Sequence, residues 1–492
     1  MKIWLWVKKP INQKIILIIF VIIVSALFIT ISFAEFKPAF PLDDSWIHQT
    51  YARNLVLEGR WEYIKGEISA GSTSPLWTIL IAIGNLLGLP TPFLWTTLLL
   101  ILVMASLIVV VYELSLLLKP GNYLFAFVSG FALSLEWHLL WSVGSGMETL
   151  LFCMVIILIF YLLKKDKIKW WLVGIITGLL IWIRPDGITI LGPVFLVYST
   201  RRGDIKNRTL SLLSTLIPII FITALYGWFN FQFSGKPLPN TFYAKQFEYS
   251  ILLSQPILIR VFRVFTILIS GAGIFLVPGF LTEIVNGIQK RDIWKISAVL
   301  WIIGYGLLFA LRLPVSYQHG RYLFPLLPPY FILGISGSFE LLKPKDSASV
   351  LIKKLRTILI FSFFITAFTF VILAERAFVQ DLKMVDQLMV QPSLWVKEHT
   401  PKSSIIAAHD IGALGYFSER HVVDMAGLIN PEILPFIRNE EELFKFIENK
   451  GSNFLVIFRK WYRLTEKTGK LVSSFEYYYN DNLEVVEIRN LD

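Results

Sequence analysis

The 492-residue sequence contains one cysteine, Cys153, and only 16% of its residues are charged. A single cysteine excludes an intramolecular disulfide and a cysteine-based metal site, and its apolar surroundings predict plain packing. Gly-x-Gly-x-x-Gly and P-loop sequences are absent, so no nucleotide fingerprint is present. Asp-x-Asp is absent too, so the usual ligand motif by which a divalent ion binds a nucleotide-sugar diphosphate is missing. No cofactor is therefore predicted, although a divalent metal stays open.

What the chain has in excess is apolar sequence. Hydrophobic residues make up 55% of the chain, and its mean hydropathy is +0.63. This composition is typical of a polytopic membrane protein. The formal charge of +11 comes from short basic runs between apolar stretches, which is the pattern of cytoplasmic loops. We therefore expect a lipid bilayer and no nucleic acid as the partner of these charges.

The apolar stretches predict a polytopic α-helical protein with about eleven transmembrane helices. Lysines before the first stretch, Ile15–Ala34, place the N-terminus in the cytoplasm and indicate an uncleaved span. Four basic runs predict cytoplasmic loops: Lys164–Lys169, Arg201–Arg208, Lys290–Arg291 and Lys343–Arg356. Three apolar stretches lie between the outer loop at 40–75 and the outer position expected for Gly144–Glu148, although an even number of crossings is needed. One of the three is therefore broken, re-entrant or wrongly assigned, and 121–142 is the candidate because it contains Glu136 and His138.

The chain divides by composition into residues 1–375, a membrane domain whose first outer loop is 35–75, and residues 376–492. In the second part apolar runs shorten to strand length and charged residues become frequent. We expect strands at Ser404–Ala408, His421–Met425 and Asn453–Arg459, and helices at Val379–His399 and Glu440–Lys450. This alternation predicts a C-terminal extracytoplasmic α/β domain.

The first outer loop is rich in polar and aromatic residues. Asp43 and Asp44 open a predicted helix that continues through Leu57, and an aspartate at the N-cap accepts hydrogen bonds from free backbone N–H groups. We therefore expect Asp43 to cap the helix, which leaves Asp44 free to act as a base. Asp44, His48 and Tyr51 then share one face, where a carboxylate could deprotonate an acceptor hydroxyl. The alternative is that both aspartates only cap and solvate the helix.

Further acids, amides and cations lie in other loops assigned to the same side of the membrane. Cations suit a phosphate, and carboxylates and amides suit sugar hydroxyls, so the group predicts a site for a sugar phosphate, with a lipid-linked monophosphate as the better donor. Structural roles such as helix ends and interface contacts stay open for each. The group comprises Asp43, Asp44, His48, Arg53, Glu148, Arg184, Asp186, Asn240, Tyr243, Lys245, His319, Arg321 and Tyr322.

Several short motifs resemble the C-type membrane glycosyltransferases (GT-C), in particular the terminal arabinofuranosyltransferase branch of mycobacterial cell-wall synthesis. In the first loop they are Leu42–Ile47, Tyr51–Leu55, Gly66–Glu67 and Gly71–Trp77. Later ones, in the same order as in that branch, are Gly146–Thr149, Arg184–Gly187, Leu238–Lys245 and Gly320–Leu323. The terminal part is similar through Pro401, Ile405–Ala407, Asp410–Phe417 and Asp424–Pro431. Thr50 and Ala70 depart from the branch, which leaves the sugar open.

The resemblance implies a GT-C fold and an inverting-type transferase that takes a sugar from a polyprenyl-phosphate donor on the outer face. It implies that Asp44 or Asp43 is the base and that Lys245 and Arg321, with His319, lie near the donor phosphate. Residues for the sugar or the acceptor would be His48, Tyr51, Arg53, Glu148, Arg184, Asp186, Asn240, Tyr243 and Tyr322. The acceptor would be a cell-wall glycan, a glycolipid or a protein.

Two other classes of function compete with a transferase. A transporter or flippase for a lipid-linked saccharide is expected to show mid-membrane polar groups and inverted repeats. A non-catalytic scaffold or sensor whose outer domain binds glycans would not need the acids and cations of the first loop. Replacement of Asp44 should therefore leave the activity of a scaffold or sensor intact.

Overall fold

The computed structural model describes residues 10–89, 91–200, 204–343, 350–458, 460–462, 469–477 and 481–488. Part of the sidedness prediction rests on Lys2, Lys8, Lys9, Arg201 and Lys345, which lie outside the described residues. Helices dominate up to residue 399, and an α/β region follows. The C-terminal α/β architecture expected from the sequence is therefore present.

The membrane region is built from apolar helices of unequal length. Seven are long and apolar enough to cross a membrane, or up to nine if each of two bent pairs forms one span, among the described residues. The predicted count of eleven is not confirmed, because several of its stretches form helices too short to cross alone. The helices are α1 (Pro10–Glu35), α2 (Asp43–Leu57), α3 (Pro75–Leu86), α4 (Pro92–Leu118), α5 (Tyr123–Ser134), α6 (Trp137–Val143), α7 (Thr149–Lys164), α8 (Trp170–Ile183), α9 (Leu191–Ser199), α10 (Ile205–Ser234), α11 (Asn240–Glu248), α12 (Ile257–Ile269), α13 (Val277–Gln289), α14 (Ile293–Arg312), α15 (Leu327–Leu341) and α16 (Val350–Val385).

The break expected within 121–142 lies between α5 and α6, which meet at 59°. Glu136 causes it: its carboxylate accepts the Leu139 N–H at 2.9 Å and so starts a new helix. His138 Nδ1 lies 2.7 Å from the same carboxylate, so the polar groups satisfy each other inside an apolar bundle.

The C-terminal region consists of α17 (Gln391–His399), α18 (Gly412–Phe417) and α19 (Glu440–Asn449) around a five-stranded sheet. Its strand order is β4-β3-β5-β7-β6, with β3, β4 and β5 parallel and β6 and β7 antiparallel. The three predicted strands are confirmed as β3 (Ile405–Ala408), β4 (His421–Asp424) and β5 (Phe454–Phe458). The hairpin of β6 (Gly469–Tyr477) and β7 (Asp481–Ile488) was not predicted. A small hairpin, β1 (Glu62–Ile64) with β2 (Glu67–Ile68), lies in the first outer loop.

The first outer loop and the C-terminal region share one hydrophobic core. Tyr51, Trp61 and Tyr63 of the loop pack with Leu414 and Leu428 of the C-terminal region. The Tyr63 hydroxyl donates to the Ile411 carbonyl. Because large aromatic side chains are fully desolvated there, the loop is fixed against the α/β region, and its first helix is held in place.

Candidate active site

A cavity of about 820 Å³ lies between the first outer loop, the membrane helices and the C-terminal region. Much of its lining is apolar and includes Ile188, Leu238 and Leu308, which are partly exposed. Its charged side is formed by polar and ionisable groups from separate segments of the chain: Asp44, His48, Glu148, Arg184, Asp186, Lys245, Arg321 and Tyr322. The arrangement suits an amphiphilic ligand with a polar head and an apolar tail.

Asp44 lies at the centre of the charged side. Arg321 Nη2 donates to its Oδ2, and Lys245 Nζ lies 3.6 Å from the same oxygen. Burial raises the pKa of Asp44, but the positive charges of Lys245 and Arg321 outweigh this and hold it well below its usual range. The carboxylate is therefore ionised and tied to two cations.

The chain brings these three residues together from distant segments. Asp44 lies in the first turn of α2, Lys245 in the last turn of α11, and Arg321 in a 3-10 segment, Gln318–Leu326. Gln318, His319 and Gly320 all have positive φ, at 53°, 57° and 72°. The left-handed backbone conformation is costly for residues other than glycine. The turn directly before Arg321 therefore needs contacts with the rest of the fold to keep it in place.

One contact that holds this turn involves His319. Its Nε2 lies 2.7 Å from Asp381 Oδ2 on α16, and Trp141 Nε1 donates to the same oxygen at 2.8 Å. His319 does not line the cavity. The structure therefore places it beside the Arg321 segment, away from the cavity contacts that the sequence predicted for it.

Lys245, Arg321 and Tyr322 form a cationic end. Lys245 Nζ donates to the Tyr322 hydroxyl at 2.6 Å, and Arg321 Nη2 lies 3.3 Å from that oxygen. Arg321 is only 3% exposed, and its Nε and Nη1 have no hydrogen-bond partner within the described part of the chain. Buried guanidinium donors without partners are costly, so an anion that entered this end would satisfy them.

His48, Glu148, Arg184 and Asp186 form an acidic end. Arg184 donates two hydrogen bonds of 3.0 Å to Asp186, and the Tyr305 hydroxyl donates to Asp186 at 2.5 Å. Glu148 lies 3.7 Å from His48 and 3.9 Å from Arg184. Since His48 is one helical turn after Asp44, the two ends meet at that carboxylate.

The structure corrects the role expected for Asp43. The N-cap of α2 is Leu42, with no side-chain cap hydrogen bond. Asp43 instead accepts the backbone N–H groups of Gly412 and Ala413 at 2.7 and 2.8 Å. Its carboxylate thus binds the N-terminus of α18 in another part of the fold, which sequence-local capping rules do not foresee.

Four other predicted residues also lie away from the cavity. Tyr51 contacts Ser69 and the Gly71 N–H, and Arg53 donates to the carbonyl of Tyr416. Asn240 is fully buried, and Tyr243 packs against the shared aromatic core. Their contacts fix the outer loop and α11, which carry Asp44 and Lys245.

Sequence reasoning missed other cavity residues. Arg312 ends α14 at the cavity wall, and Thr73, Thr241 and Gln246 line it. The Tyr305 hydroxyl contacts Asp186 and the Tyr322 carbonyl, and its ring packs on Phe309, which lines the cavity. Thr73, Thr241 and Gln246 lie inside or beside motifs already noted. Arg312 and Tyr305, in contrast, lie in a helix whose sequence looks like that of any membrane span. Among the described residues no group of three His, Cys, Asp or Glu side chains is arranged to hold a metal ion.

Comparison with solved structures shows the fold. The chain superimposes on the oligosaccharyltransferase of Archaeoglobus fulgidus with a TM-score of 0.64 at 12% identity, covering 99% of this chain and 75% of that one. ArnT from Cupriavidus metallidurans bound to undecaprenyl phosphate superimposes with a TM-score of 0.61 at 14% identity, covering 95% of this chain and 97% of that one. The mycobacterial arabinofuranosyltransferase AftD superimposes with a TM-score of 0.52 at 14% identity, covering 95% of this chain and 40% of that one. The chain therefore has the GT-C fold, as the motifs indicated.

Sequence comparison is less informative than structural comparison. Residues 377–487 match a family model described as a domain of unknown function, DUF8728. The search of curated proteins gives no match. Because the structural relatives are below 15% identity, they establish the fold and a multi-pass membrane protein, and the chemistry has to be argued from the cavity.

Proposed function

We propose that this protein is a membrane glycosyltransferase that moves a sugar from a polyprenyl-phosphate donor to an acceptor hydroxyl on the extracytoplasmic face. The observation that carries the proposal is the contact of Asp44 with Arg321 and Lys245 inside a cavity with one apolar wall. Two cations that could hold a phosphate, a carboxylate that could act as base and apolar lining that could accept a lipid lie together there, which is what such a reaction needs.

The cation pair explains how the donor would be held and activated. A donor phosphate competes with Asp44 for Arg321 and Lys245 and also satisfies the buried Arg321 donors that lack partners. Once the phosphate takes these cations, Asp44 loses its ion pairs and its proton affinity rises. The same contact therefore couples donor binding to activation of the base.

In the proposed step Asp44 takes the proton of the acceptor hydroxyl while the hydroxyl oxygen attacks the anomeric carbon of the donor sugar. The new carbon–oxygen bond forms while the bond from that carbon to the phosphate oxygen breaks, and the electron pair leaves with the polyprenyl phosphate. Arg321 and Lys245 stabilise the charge that develops on the leaving oxygen. No metal ion is required to balance the step.

The charge of the cavity favours one phosphate over two. Its lining carries four cationic side chains (Arg184, Lys245, Arg312 and Arg321) and three carboxylates (Asp44, Glu148 and Asp186), a net charge of +1. A phosphodiester donor carries one negative charge and balances it, whereas a diphosphate donor leaves excess negative charge in a partly desolvated site. The apolar wall near Leu238 and Leu308 accommodates the prenyl chain.

Three structures of two relatives support this choice of donor and acceptor class. ArnT was solved with undecaprenyl phosphate, and the Archaeoglobus oligosaccharyltransferase was solved with dolichol phosphate and an inhibitory peptide and with a tethered acceptor peptide. For this chain we propose a cell-wall glycan, a glycolipid or a protein as acceptor. We also propose that the N-terminus is cytoplasmic and that the region after residue 375 is an extracytoplasmic domain.

The test uses the purified protein in lipid nanodiscs, with radiolabelled polyprenyl-phosphate sugars and an envelope extract as acceptor. Label transfer by the wild type that is lost in Asp44→Asn supports the proposal. Asp204→Asn is the matched control, because this exposed residue lies in the connection before α10, away from the cavity lining. Donor binding without transfer from any sugar would favour a flippase or a lipid-saccharide binding protein instead.

A further inference from the structure

Arg184, the cation of the acidic end, is already engaged. Its Nε and Nη2 each donate to Asp186 at 3.0 Å, and its guanidinium lies 5.1 Å from the Phe152 ring and 5.2 Å from the Tyr322 ring. Asp186 is fixed in turn by the Tyr305 hydroxyl at 2.5 Å. Arg184 is therefore committed to Asp186, and its Nη1 lies 3.9 Å from Glu148, beyond hydrogen-bond length.

Glu148, in contrast, has unused capacity. It is 5% exposed, and its Oε2 has no hydrogen-bond partner among the residues described. The nearest cationic or imidazole nitrogens, at 3.7 Å on His48 and 3.9 Å on Arg184, are beyond hydrogen-bond length. Glu148 lines the cavity, and its buried carboxylate oxygen without a donor favours a ligand that brings one.

His48 does not offset this negative charge. Its Nδ1 lies 2.9 Å from Thr78 Oγ1 and 3.3 Å from Ser72 Oγ, both neutral groups. Burial lowers the pKa of His48, which favours the uncharged ring. With Glu148 and Asp186 negative and Arg184 positive, the acidic end carries a net charge of −1.

We infer that the sugar carried by the donor has free hydroxyls and no anionic substituent, and that Glu148 selects it by accepting a hydroxyl hydrogen bond. A sugar carboxylate beside Glu148 would meet its negative charge, and the nearest cation, Arg184, is already paired with Asp186, so this like-charge contact in a desolvated site is unfavourable. The inference rests on the proposed function, because it assigns the sugar end of the same cavity. It makes Glu148 the residue that separates neutral sugars from uronic acids.

The experiment measures binding and transfer separately for matched donors. Polyprenyl-phosphate glucose and galactose are compared with the corresponding glucuronate and galacturonate, which differ only in the CH₂OH or carboxylate group. In the wild type we expect each neutral donor to bind at least about tenfold more tightly than its acidic counterpart. Glu148→Gln should reduce that preference to about threefold or less, because the charge is lost and an amide donor is gained. Glu67→Gln, an exposed glutamate paired with His421, should keep it.

The outcomes separate the two proposals. Equal wild-type binding of neutral and acidic donors overturns the inference and leaves the transferase standing. A neutral preference that persists in Glu148→Gln also overturns the role of Glu148. If neutral donors bind preferentially but no sugar is transferred, the inference is supported and the proposed transferase function is overturned. No binding of any donor overturns both. Since the wild type alone shows the preference, a poorly folded variant does not prevent a decision.

Discussion

At the scale of single residues, the site depends on how Asp44 is balanced. The carboxylate has two cationic neighbours: Arg321, which has buried donors without partners, and Lys245, whose Nζ lies 3.6 Å away. Ion pairs of this kind lose their value when one partner is removed, because the other stays buried and charged. Substitutions of Asp44, Lys245 and Arg321 should therefore change donor binding and sugar transfer in distinguishable ways.

Arg321→Gln should lower kcat/KM for transfer by about 10²- to 10³-fold, because a preorganised cation at the leaving phosphate is lost. Arg321→Lys should recover part of the loss, since it restores the charge without the fork of donors. Steady-state kinetics with a saturating acceptor measures both. Arg263→Gln is the control, because this exposed arginine contacts Gln255 and not the cavity. Equal activity in Arg321→Gln and the wild type would contradict a phosphate role.

Asp43 gives a prediction about pH. Burial and the nearby Asp410 raise the pKa of Asp43 to about 7, despite its backbone hydrogen bonds. A carboxyl with a raised pKa in the folded state contributes most below the unfolded value and loses that contribution as pH rises through the folded value. The wild type should therefore lose thermal stability relative to Asp43→Asn as the pH rises from about 4 to about 7. Thermal unfolding in nanodiscs measures this, and a constant difference would contradict it.

At the scale of elements, α18 and α2 are locked together by Gly412. A Cβ on Gly412 would lie 2.0 Å from the Asp43 carbonyl oxygen and 2.7 Å from the Asp43 carboxylate. These atoms belong to the first turn of α2, so any side chain there has to move the segment that carries Asp44. The C-terminal region thus sets the position of the proposed base.

Gly412→Ala should reduce transfer by about 10²-fold, because a shift of about 1 Å at the reacting group has that effect. Donor binding should fall less, since Arg321 and Lys245 lie on other elements. Gly192→Ala is the control, because a Cβ there meets no atom within 4 Å. Wild-type transfer by Gly412→Ala, with the substitution verified, would show that the contact does not position Asp44.

The sequence predicted some elements of the fold and not others, and the difference has physical reasons. Strands β3, β4 and β5 are compact apolar runs, whereas β6 and β7 are mixed in polarity and gave no such signal. The polar break before α6 was foreseen because Glu136 is out of place in an apolar stretch. The partner of Asp43 was not foreseen, since it lies more than 360 residues away along the chain.

The site shows the same division. Short polar motifs pointed to Asp44, Lys245 and Arg321, which the fold brings into contact. They could not show that Tyr51 and Arg53 would turn toward the C-terminal region, because one helix presents several faces and tertiary packing decides which of them meets the cavity.

At the scale of the whole molecule, the proposal requires the cavity and the C-terminal region to be outside the cytoplasm. The only native cysteine, Cys153, is fully buried, so thiol labelling has little background. Glu419→Cys in the C-terminal region should react with a membrane-impermeant maleimide in intact cells. Lys290→Cys, between α13 and α14, should react only after lysis. The reverse pattern would invert the proposed orientation.

The most direct measurement concerns Asp44→Asn, with polyprenyl-phosphate binding and sugar transfer determined on the same nanodisc sample. If phosphate replaces Asp44 on Arg321 and Lys245, removing the competing charge should tighten polyprenyl-phosphate binding by about three- to tenfold. Transfer should fall by at least about 10³-fold, because the base is lost. Tighter binding together with lost transfer is the predicted result. Weaker binding, or transfer at the wild-type rate, would contradict the proposed exchange of Asp44 for phosphate and its role as the base.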